Sequence, residues 1–91
     1  MMATILSTDM SDEMQETILK GVAHFLDKKG DDHLTNADMR FIRDALTSVY
    51  GSGWTCIAST TDTMTKKPIS LLKGNYIYFI LGSYSFIIFT E

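Results

Sequence analysis

The stretch YIYFILGSYSFIIFT, residues 76–90, decides the fold. Tyr76 to Leu81 and Tyr84 to Thr90 are rich in β-branched and aromatic residues, and Gly82-Ser83 between them is a hairpin-turn signal. The stretch therefore predicts two antiparallel strands joined by a tight turn.

Both faces of this predicted hairpin are apolar. Side chains alternate between the two faces of a strand. Here both sets are apolar: Tyr76, Tyr78 and Ile80 against Ile77, Phe79 and Leu81, then Phe86 and Ile88 against Ile87 and Phe89. Such a sheet needs cover on both faces, and two short helices cover only one. We therefore expect the second face to contact another chain, in an oligomer or with a partner. The alternative is an ordinary antiparallel sheet with a few exposed aromatic side chains.

A first amphipathic helix is predicted from Ser11 to Lys28. Asp9 or Ser11 offers the N-cap, and Gly30 ends the helix. Its apolar stripe has helical spacing and consists of Met14, Ile18, Val22, Phe25 and Leu26.

A second amphipathic helix begins at Thr35. Asp38 follows three residues later, which approximates a capping box, and Gly51 suits the left-handed position past the helix end. The apolar stripe of this helix consists of Met39, Ile42, Ala45, Leu46, Val49 and Tyr50.

Two further strands complete the predicted sheet. Ala3 to Leu6 is short and suits an edge strand, and Trp54 to Ala58 is typical of a strand. Ser59 to Asn75 is polar and Thr-rich with Pro68 in its middle, and we predict no regular strand there. The predicted order is β-α-α-β-β-β in the α+β class, with two helices packed on an antiparallel sheet. Residues 1–91 form a single domain.

Charge and cysteine content narrow the functional class. The net charge is −3 and the eight basic residues are scattered, which disfavours nucleic-acid binding. Cys56 is the single cysteine, so no internal disulfide forms, as is typical of a reducing compartment.

The N-terminus lacks a secretory pattern. The longest apolar region, Tyr76 to Phe89, is too short to cross a membrane as a helix and is split by Gly82-Ser83. We expect a soluble intracellular domain without a membrane partner.

No arrangement of residues in the sequence indicates catalysis. His24 and His33 have no nucleophile near them in sequence, and Cys56 alternates with Trp54 and Ala58 as a small core residue would. Phosphate-binding glycine loops, zinc-ligand spacing and nucleophile elbows are missing from the sequence. We expect a protein that is not an enzyme and that uses no cofactor.

Residues 27–38 loosely follow a calcium-loop pattern. Asp27, Asp31 and Asp38 fill the first, fifth and twelfth positions, but Lys29 replaces the oxygen ligand at the third, and Asp32 replaces the turn glycine. We therefore interpret the segment as an acidic interhelical loop without a metal. A weak calcium-binding domain remains the less favoured alternative.

Five segments, taken in order, carry a resemblance to a known family: ATILSTDM (3–10), SDEMQ (11–15), GSGWTCI (51–57), YIYFILG (76–82) and SFIIF (85–89). The first two resemble the entry into the first helix of the small hub-type dynein light chains. The third resembles their Trp-x-Cys strand, and the last two resemble their final hairpin. The resemblance covers about Ala3 to Thr90.

The resemblance implies a non-catalytic, symmetric homodimer in which the strand after the Trp-x-Cys strand crosses to the partner's sheet. The outer edge of the crossing strand would receive an extended peptide as an added strand. The implied receiving edge is Thr60, Thr61, Asp62, Thr63, Met64 and Thr65, and the implied groove face carries Tyr78, Ile80, Ser85 and Ile87. The implied partners are the dynein intermediate chain and other proteins with short linear motifs. The implied location is the cytoplasm, in association with the cytoskeleton.

The sequence departs from the family's pattern mainly in the crossing strand. TTDTMTKK (60–67) replaces the family's Asn-Phe-Gly-Ser-Tyr-Val-Thr-His run, Thr55 replaces the histidine usual after the tryptophan, and Ile80 replaces a tyrosine. Peptide specificity is therefore not carried over. The alternative is a structural or interaction protein that keeps the light-chain fold and has lost the peptide groove.

Overall fold

The elements of the fold follow the predicted order. The computed structural model describes residues 3–30, 33–61 and 75–90. Its elements there are β1 (Ala3–Thr8), α1 (Asp12–Lys29), α2 (Asn36–Tyr50), β2 (Trp54–Thr60), β3 (Tyr76–Leu81) and β4 (Tyr84–Thr90). The β-α-α-β-β-β order and the α+β class are confirmed.

The strands form one antiparallel sheet in the order β1-β3-β4-β2. The predicted hairpin, β3 and β4, occupies its centre, and β1 is an edge strand as predicted. β2 ends at Thr60, two residues beyond the predicted Ala58. It continues because Ser59 and Thr60 pair with Ser85 and Tyr84 of β4. This pairing is a long-range interaction, which the local sequence does not reveal.

The predicted helix caps are present in the structure. The backbone N–H of Met14 donates to Ser11 Oγ at 3.2 Å, which identifies Ser11 as the N-cap of α1. Gly30 ends α1 in the left-handed conformation, with φ 78°. Thr35 and Asp38 form a complete capping box on α2, since each side chain accepts from the other residue's backbone N–H.

The end of α2 differs from the prediction in its conformation. Gly51 has a positive φ of 91°, but its ψ of −176° lies outside the left-handed helical region. Its backbone N–H still donates to the Thr47 carbonyl at 2.9 Å. Glycine therefore suits the position because of its positive φ, and Ser52 and Gly53 then connect α2 to β2.

The core lies between the two helices and one face of the sheet. Its centre consists of side chains at most 1% exposed: Ile77, Phe79, Leu81, Phe86 and Ile88. The helices contribute Ile18, Val22 and Leu26 from α1, and Ile42 and Leu46 from α2. In the rest of the predicted α2 stripe, Met39 is half-buried and packs against the core, while Ala45, Val49 and Tyr50 are exposed. A helix lying on a sheet buries the strip that faces the sheet, and the adjoining strip stays exposed. Neither helix among the described residues is long and apolar enough to span a membrane.

Candidate functional site

The sheet has a second face, turned away from the helices. Because side chains alternate along a strand, the neighbours of the buried residues point to this side. The strand register arranges them in three rows across β2, β4 and β3: Thr55–Phe89–Tyr76, Ile57–Ile87–Tyr78 and Ser59–Ser85–Ile80. These nine residues are called the outer face below.

The middle row makes the outer face apolar at its centre. Ile57 is 36% exposed, and Ile87 and Tyr78 beside it are half-buried. The serines of the next row do not offer free hydroxyls, because the Ser59 and Ser85 Oγ atoms lie 3.1 Å apart and Ser85 Oγ also donates to the Ser59 carbonyl at 3.3 Å. Apart from the hydroxyls of Thr55, Tyr76 and Tyr78, the face therefore consists mainly of hydrocarbon. The two-sided apolar hairpin predicted from the sequence is realised as one buried and one open face.

The structure brings together the four predicted groove-face residues. Tyr78 pairs with Ile87 and Ile80 pairs with Ser85, in neighbouring rows of the outer face. Ser85 is only 4% exposed, so its side chain supports the sheet and is not available at the surface. The predicted grouping is visible, while its use as a peptide groove stays a prediction.

The predicted receiving edge is described only at its beginning. Thr60 is the last residue of β2 and pairs with Tyr84, in a row of the helix-facing side of the sheet. The backbone N–H of Thr61 donates to the Ser83 carbonyl at 3.1 Å. The remaining members of the edge, Asp62, Thr63, Met64 and Thr65, lie outside the described residues.

β2 itself is an edge strand. One side of it pairs with β4, and no other strand in the described part of the chain pairs with its opposite side. An open edge of this kind presents alternate backbone N–H and C=O groups to an incoming strand. Beside it lies a cavity of about 370 Å³ between α2 and the start of β2, lined by Asn36, Met39, Arg40, Arg43, Trp54, Thr55 and Cys56. Sequence reasoning missed this cavity. The i, i+3 spacing of the two arginines was the available signal, because it places both on one side of α2.

A second apolar surface lies between the helices, on the side away from the sheet. The rings of Phe25 and Phe41 stack there with centroids 4.9 Å apart. Phe41 is 59% exposed and Val49 is 64% exposed. Gly21 leaves open space in α1 opposite them, and the resulting groove has a volume of about 170 Å³.

Asp38, in the first turn of α2, has a structural role. Asp38 Oδ2 accepts from the Thr35 backbone N–H at 2.9 Å and lies 3.2 Å from Lys29 Nζ. The Thr35 N–H and, to a smaller extent, Lys29 hold the pKa of Asp38 below its ordinary value. Within residues 3–30, 33–61 and 75–90, no group of three His, Cys, Asp or Glu side chains could hold a metal ion. Asp31 lies outside the described residues, so the calcium alternative rests on Asp27 and an Asp38 that already has partners.

Cys56 is predicted to be an unreactive thiol. It lies on the helix-facing side of β2, and burial raises its pKa to about 12 from an ordinary 9.0. The thiolate is the reactive form, so we expect Ellman's reagent at pH 8 to modify the native protein far more slowly than the urea-unfolded protein. The unfolded thiol also loses its proton first, so stability should fall as the pH rises from about 9 towards 12. Equal modification rates in the native and unfolded protein would contradict this assignment.

Comparison with known proteins finds a matching family and matching solved structures. The family model described as dynein light chain type 1 matches residues 2–91. No curated protein sequence matches the chain. Among solved structures, the dynein light chain-like domain of the Fasciola hepatica calcium-binding protein FhCaBP2 matches with a TM-score of 0.80 and 18% identity, over 99% of this chain and 91% of that one. Its mercury derivative matches with a TM-score of 0.77 and 17% identity, over 98% and 91%.

The DLC-like domain of CsTAL3 matches with a TM-score of 0.79 and 11% identity, over 98% of this chain and 92% of that one. At these identities the structural likeness shows the fold, while the family model covers nearly the whole chain. The two helices packed on a four-stranded antiparallel sheet match the dynein light chain fold. The chain belongs to the dynein light chain type 1 family.

Proposed function

We propose that this chain is a non-catalytic, dimeric light chain that binds short extended segments of partner proteins by β-strand addition, as a subunit of a microtubule motor complex. The observation that carries the proposal is a sheet whose helix-facing centre is buried, whose outer face is largely apolar, and whose β2 edge has no neighbouring strand among the described residues. By family resemblance, the partners are the dynein intermediate chain and other proteins with short linear motifs. The location that fits this role is the cytoplasm, in association with the cytoskeleton.

The outer face supports the dimer. Two copies related by a two-fold axis would bring the Ile57–Ile87–Tyr78 rows together, because an isologous contact uses the same surface on both subunits. Sheets packed face to face lie about 10 Å apart, which is close enough to exclude water from these side chains. Burial of apolar surface supplies the main driving force for such association.

The open edge of the sheet supports strand addition. Hydrogen bonds to the backbone of the edge strand give affinity that does not depend on sequence, and pockets for alternate side chains give specificity. Two equivalent edges in a dimer raise the avidity for bivalent partners. The family's strand exchange is part of the proposal: the strand through Thr60 to Thr65 of one copy would join the partner's sheet, and its outer edge would receive the segment.

A specific observation favours a second candidate, a light chain that keeps the fold and the outer-face contact without a peptide groove. Ser85, one of the predicted groove residues, is buried and bonded to Ser59. Such a protein would act as a fixed structural subunit. A calcium role is disfavoured, because the Asp38 carboxylate already pairs with Lys29 and accepts a hydrogen bond from the Thr35 backbone N–H.

An NMR titration of the isotope-labelled protein tests the proposal. The probe is a peptide that carries the Thr-Gln-Thr core typical of the family's ligands. We expect chemical-shift changes concentrated on the amides of Trp54 to Thr60 and on Tyr78, and little change in α1, which serves as the internal control. Well-dispersed spectra that stay unchanged at about millimolar peptide, a Kd corresponding to only about 4 kcal/mol, would contradict peptide binding and favour the structural role.

A further inference from the structure

The groove between α1 and α2 is an exposed apolar surface on the side of the helices away from the sheet. Buried core side chains of both helices form its floor. Its walls are formed by Thr17, Gly21 and Phe25 of α1 and by Phe41, Ala45 and Val49 of α2. Phe41 and Val49 are 59% and 64% exposed, although both side chains are apolar. A contiguous apolar surface of this kind indicates a contact site.

Gly21 keeps the middle of the groove open. A Cβ atom at this position would meet no other side chain and no neighbouring element within 4 Å. Packing within the described chain therefore does not require glycine here. Glycine in the middle of a helix is destabilising relative to alanine, but it allows another backbone to approach closely. The position suits a groove that receives an element from another molecule.

The groove fits an α-helix better than an extended segment. The helices that form its walls use their backbone N–H and C=O groups internally, so they offer none to the backbone of a bound strand. A bound helix satisfies its own backbone groups. The step from Phe41 to Val49 corresponds to about 12 Å along α2, and apolar anchors at positions i, i+4 and i+7 of a bound helix span about the same length.

The rim of the groove on the α1 side is basic. A residue three positions after a wall residue lies beside it, towards solvent. On α1 this rule places three exposed side chains along the rim: Lys20, His24 and Lys28. Lys20 already pairs with Glu16 at 2.7 Å, whereas Lys28 has no ion pair with any residue that the structure describes. Acidic side chains on a bound helix would therefore complement this rim.

Charge argues against two other occupants. The exposed side of α2 carries Arg40 and Arg43 besides Asp44, so a second copy of this chain would bring net positive charge to the basic rim. An anionic membrane surface would repel a protein whose net charge is −3, and a flat surface would leave the floor of the groove uncovered. An acidic helix of a different protein is the better match.

We propose that the groove between the helices binds one amphipathic α-helix of a different protein, with its apolar stripe over Gly21 and Ala45 and its acidic side chains facing Lys20 and Lys28. The groove lies on the far side of the helix layer from the sheet, so its occupant leaves the outer face and the edge of β2 free. Helix docking therefore goes beyond strand addition and does not depend on it. A light chain with both sites would connect a helix of one partner to an extended segment of another.

An NMR titration of the isotope-labelled protein tests this site with three synthetic helical peptides of about four turns each. The first has leucine at positions i, i+4, i+7 and i+11 and glutamate beside this stripe. The second has glutamine in place of glutamate, and the third has the residues of the first in an order without a stripe. We expect the first to shift the amides of Gly21, Phe41 and Val49 and to leave those of the outer face unchanged. It should bind about three- to tenfold more tightly than the second, the gain typical of one or two exposed ion pairs, and the third should not bind.

Two variants test the charge and the shape of the groove. Lys28→Gln should remove most of the preference for glutamate and keep the affinity for the glutamine peptide. Arg43→Gln is its matched control, because it removes the same charge from the side of α2 away from the groove. Gly21→Leu should fill the groove and weaken the binding of both striped peptides at least about tenfold, with the fold checked by circular dichroism. Thr47→Leu, at an exposed position of α2 outside the groove, should leave their binding unchanged.

Five results would overturn helix docking or its chemistry. Unchanged spectra at about millimolar striped peptide would exclude docking, and so would wild-type affinity in Gly21→Leu. Equal affinity for the glutamate and glutamine peptides would show that the partner helix need not be acidic. Shifts in the groove caused by phosphatidylserine vesicles and not by the peptides would assign it to a membrane surface. Dissociation of a wild-type dimer by Val49→Glu would assign it to a second copy. Binding of a Thr-Gln-Thr peptide at the sheet edge would stand in each case.

Discussion

Replacing Phe86 by alanine should lower the free energy of unfolding by about 3–5 kcal/mol, the range measured for buried aromatic residues. Phe86 is 0% exposed and its ring stacks on Phe79 with centroids 5.1 Å apart, at the centre of the helix-facing side of the sheet. The loss combines the transfer of apolar surface with a cavity that β3 and β4 cannot close, since both are held in register by backbone hydrogen bonds. Small domains have only about 5–15 kcal/mol of stability in total, so the variant should lose a large fraction of its stability.

Urea unfolding followed by circular dichroism measures this effect at one fixed protein concentration, because dimerisation would shift the apparent stability. The matched control is Phe41→Ala on α2, where the ring is 59% exposed. Removing it should lower the stability much less, because most of its surface already faces water. A Phe86→Ala loss no larger than the Phe41→Ala loss would show that the helix-facing side of the sheet is not the core.

The central hairpin was predictable because its signals are local. The bounds of β3 and β4 follow from two apolar runs separated by Gly82-Ser83, and the helix caps follow from Ser11, Gly30 and the Thr35–Asp38 pair. The end of β2 was not predictable in this way. Ser59 and Thr60 are polar and become strand residues only because β4 pairs with them across the sheet.

The candidate site was only partly predictable, because it depends on how the elements are placed against one another. Alternation in the sequence shows that Tyr78, Ile80, Ser85 and Ile87 share a face, but it cannot show that the Ser85 hydroxyl is buried against Ser59. The i, i+3 spacing of Arg40 and Arg43 indicates that they share one side of α2, but it does not show what lies beside them. Their position beside a sheet edge follows from the packing of α2 on β2, which is an edge strand of the described sheet.

The same packing also explains why the proposed dimer and the proposed strand addition concern one sheet. A two-layer fold with helices on one side has a single buried face, so the apolar residues of the other face are stable in water only at a cost. Contact with a second copy would remove that cost. The edge of β2 would lie at the rim of such a contact, where a further strand can add.

Replacing Ile57 by glutamate should convert the proposed dimer into a folded monomer. Ile57 begins the middle row of the outer face and is 36% exposed in the protomer, so the substitution leaves the core untouched. In a two-fold contact, each dimer would carry two such carboxylates in an apolar interface. A buried charge without a partner is destabilising by several kcal/mol, so we expect the dimer Kd to rise by at least about a hundredfold.

Sedimentation equilibrium measures the Kd, and circular dichroism checks that the fold is retained. Val49→Glu is the matched control, because Val49 is 64% exposed on the helix side of the molecule and takes the same charge. If Ile57→Glu remains dimeric, the outer face is not the interface. If Val49→Glu dissociates the dimer in its place, association uses the groove between the helices. A wild-type protein that is already monomeric at micromolar concentration would contradict the proposed dimer. A different chain would then have to cover the outer face, as expected of a light chain that works as a fixed subunit.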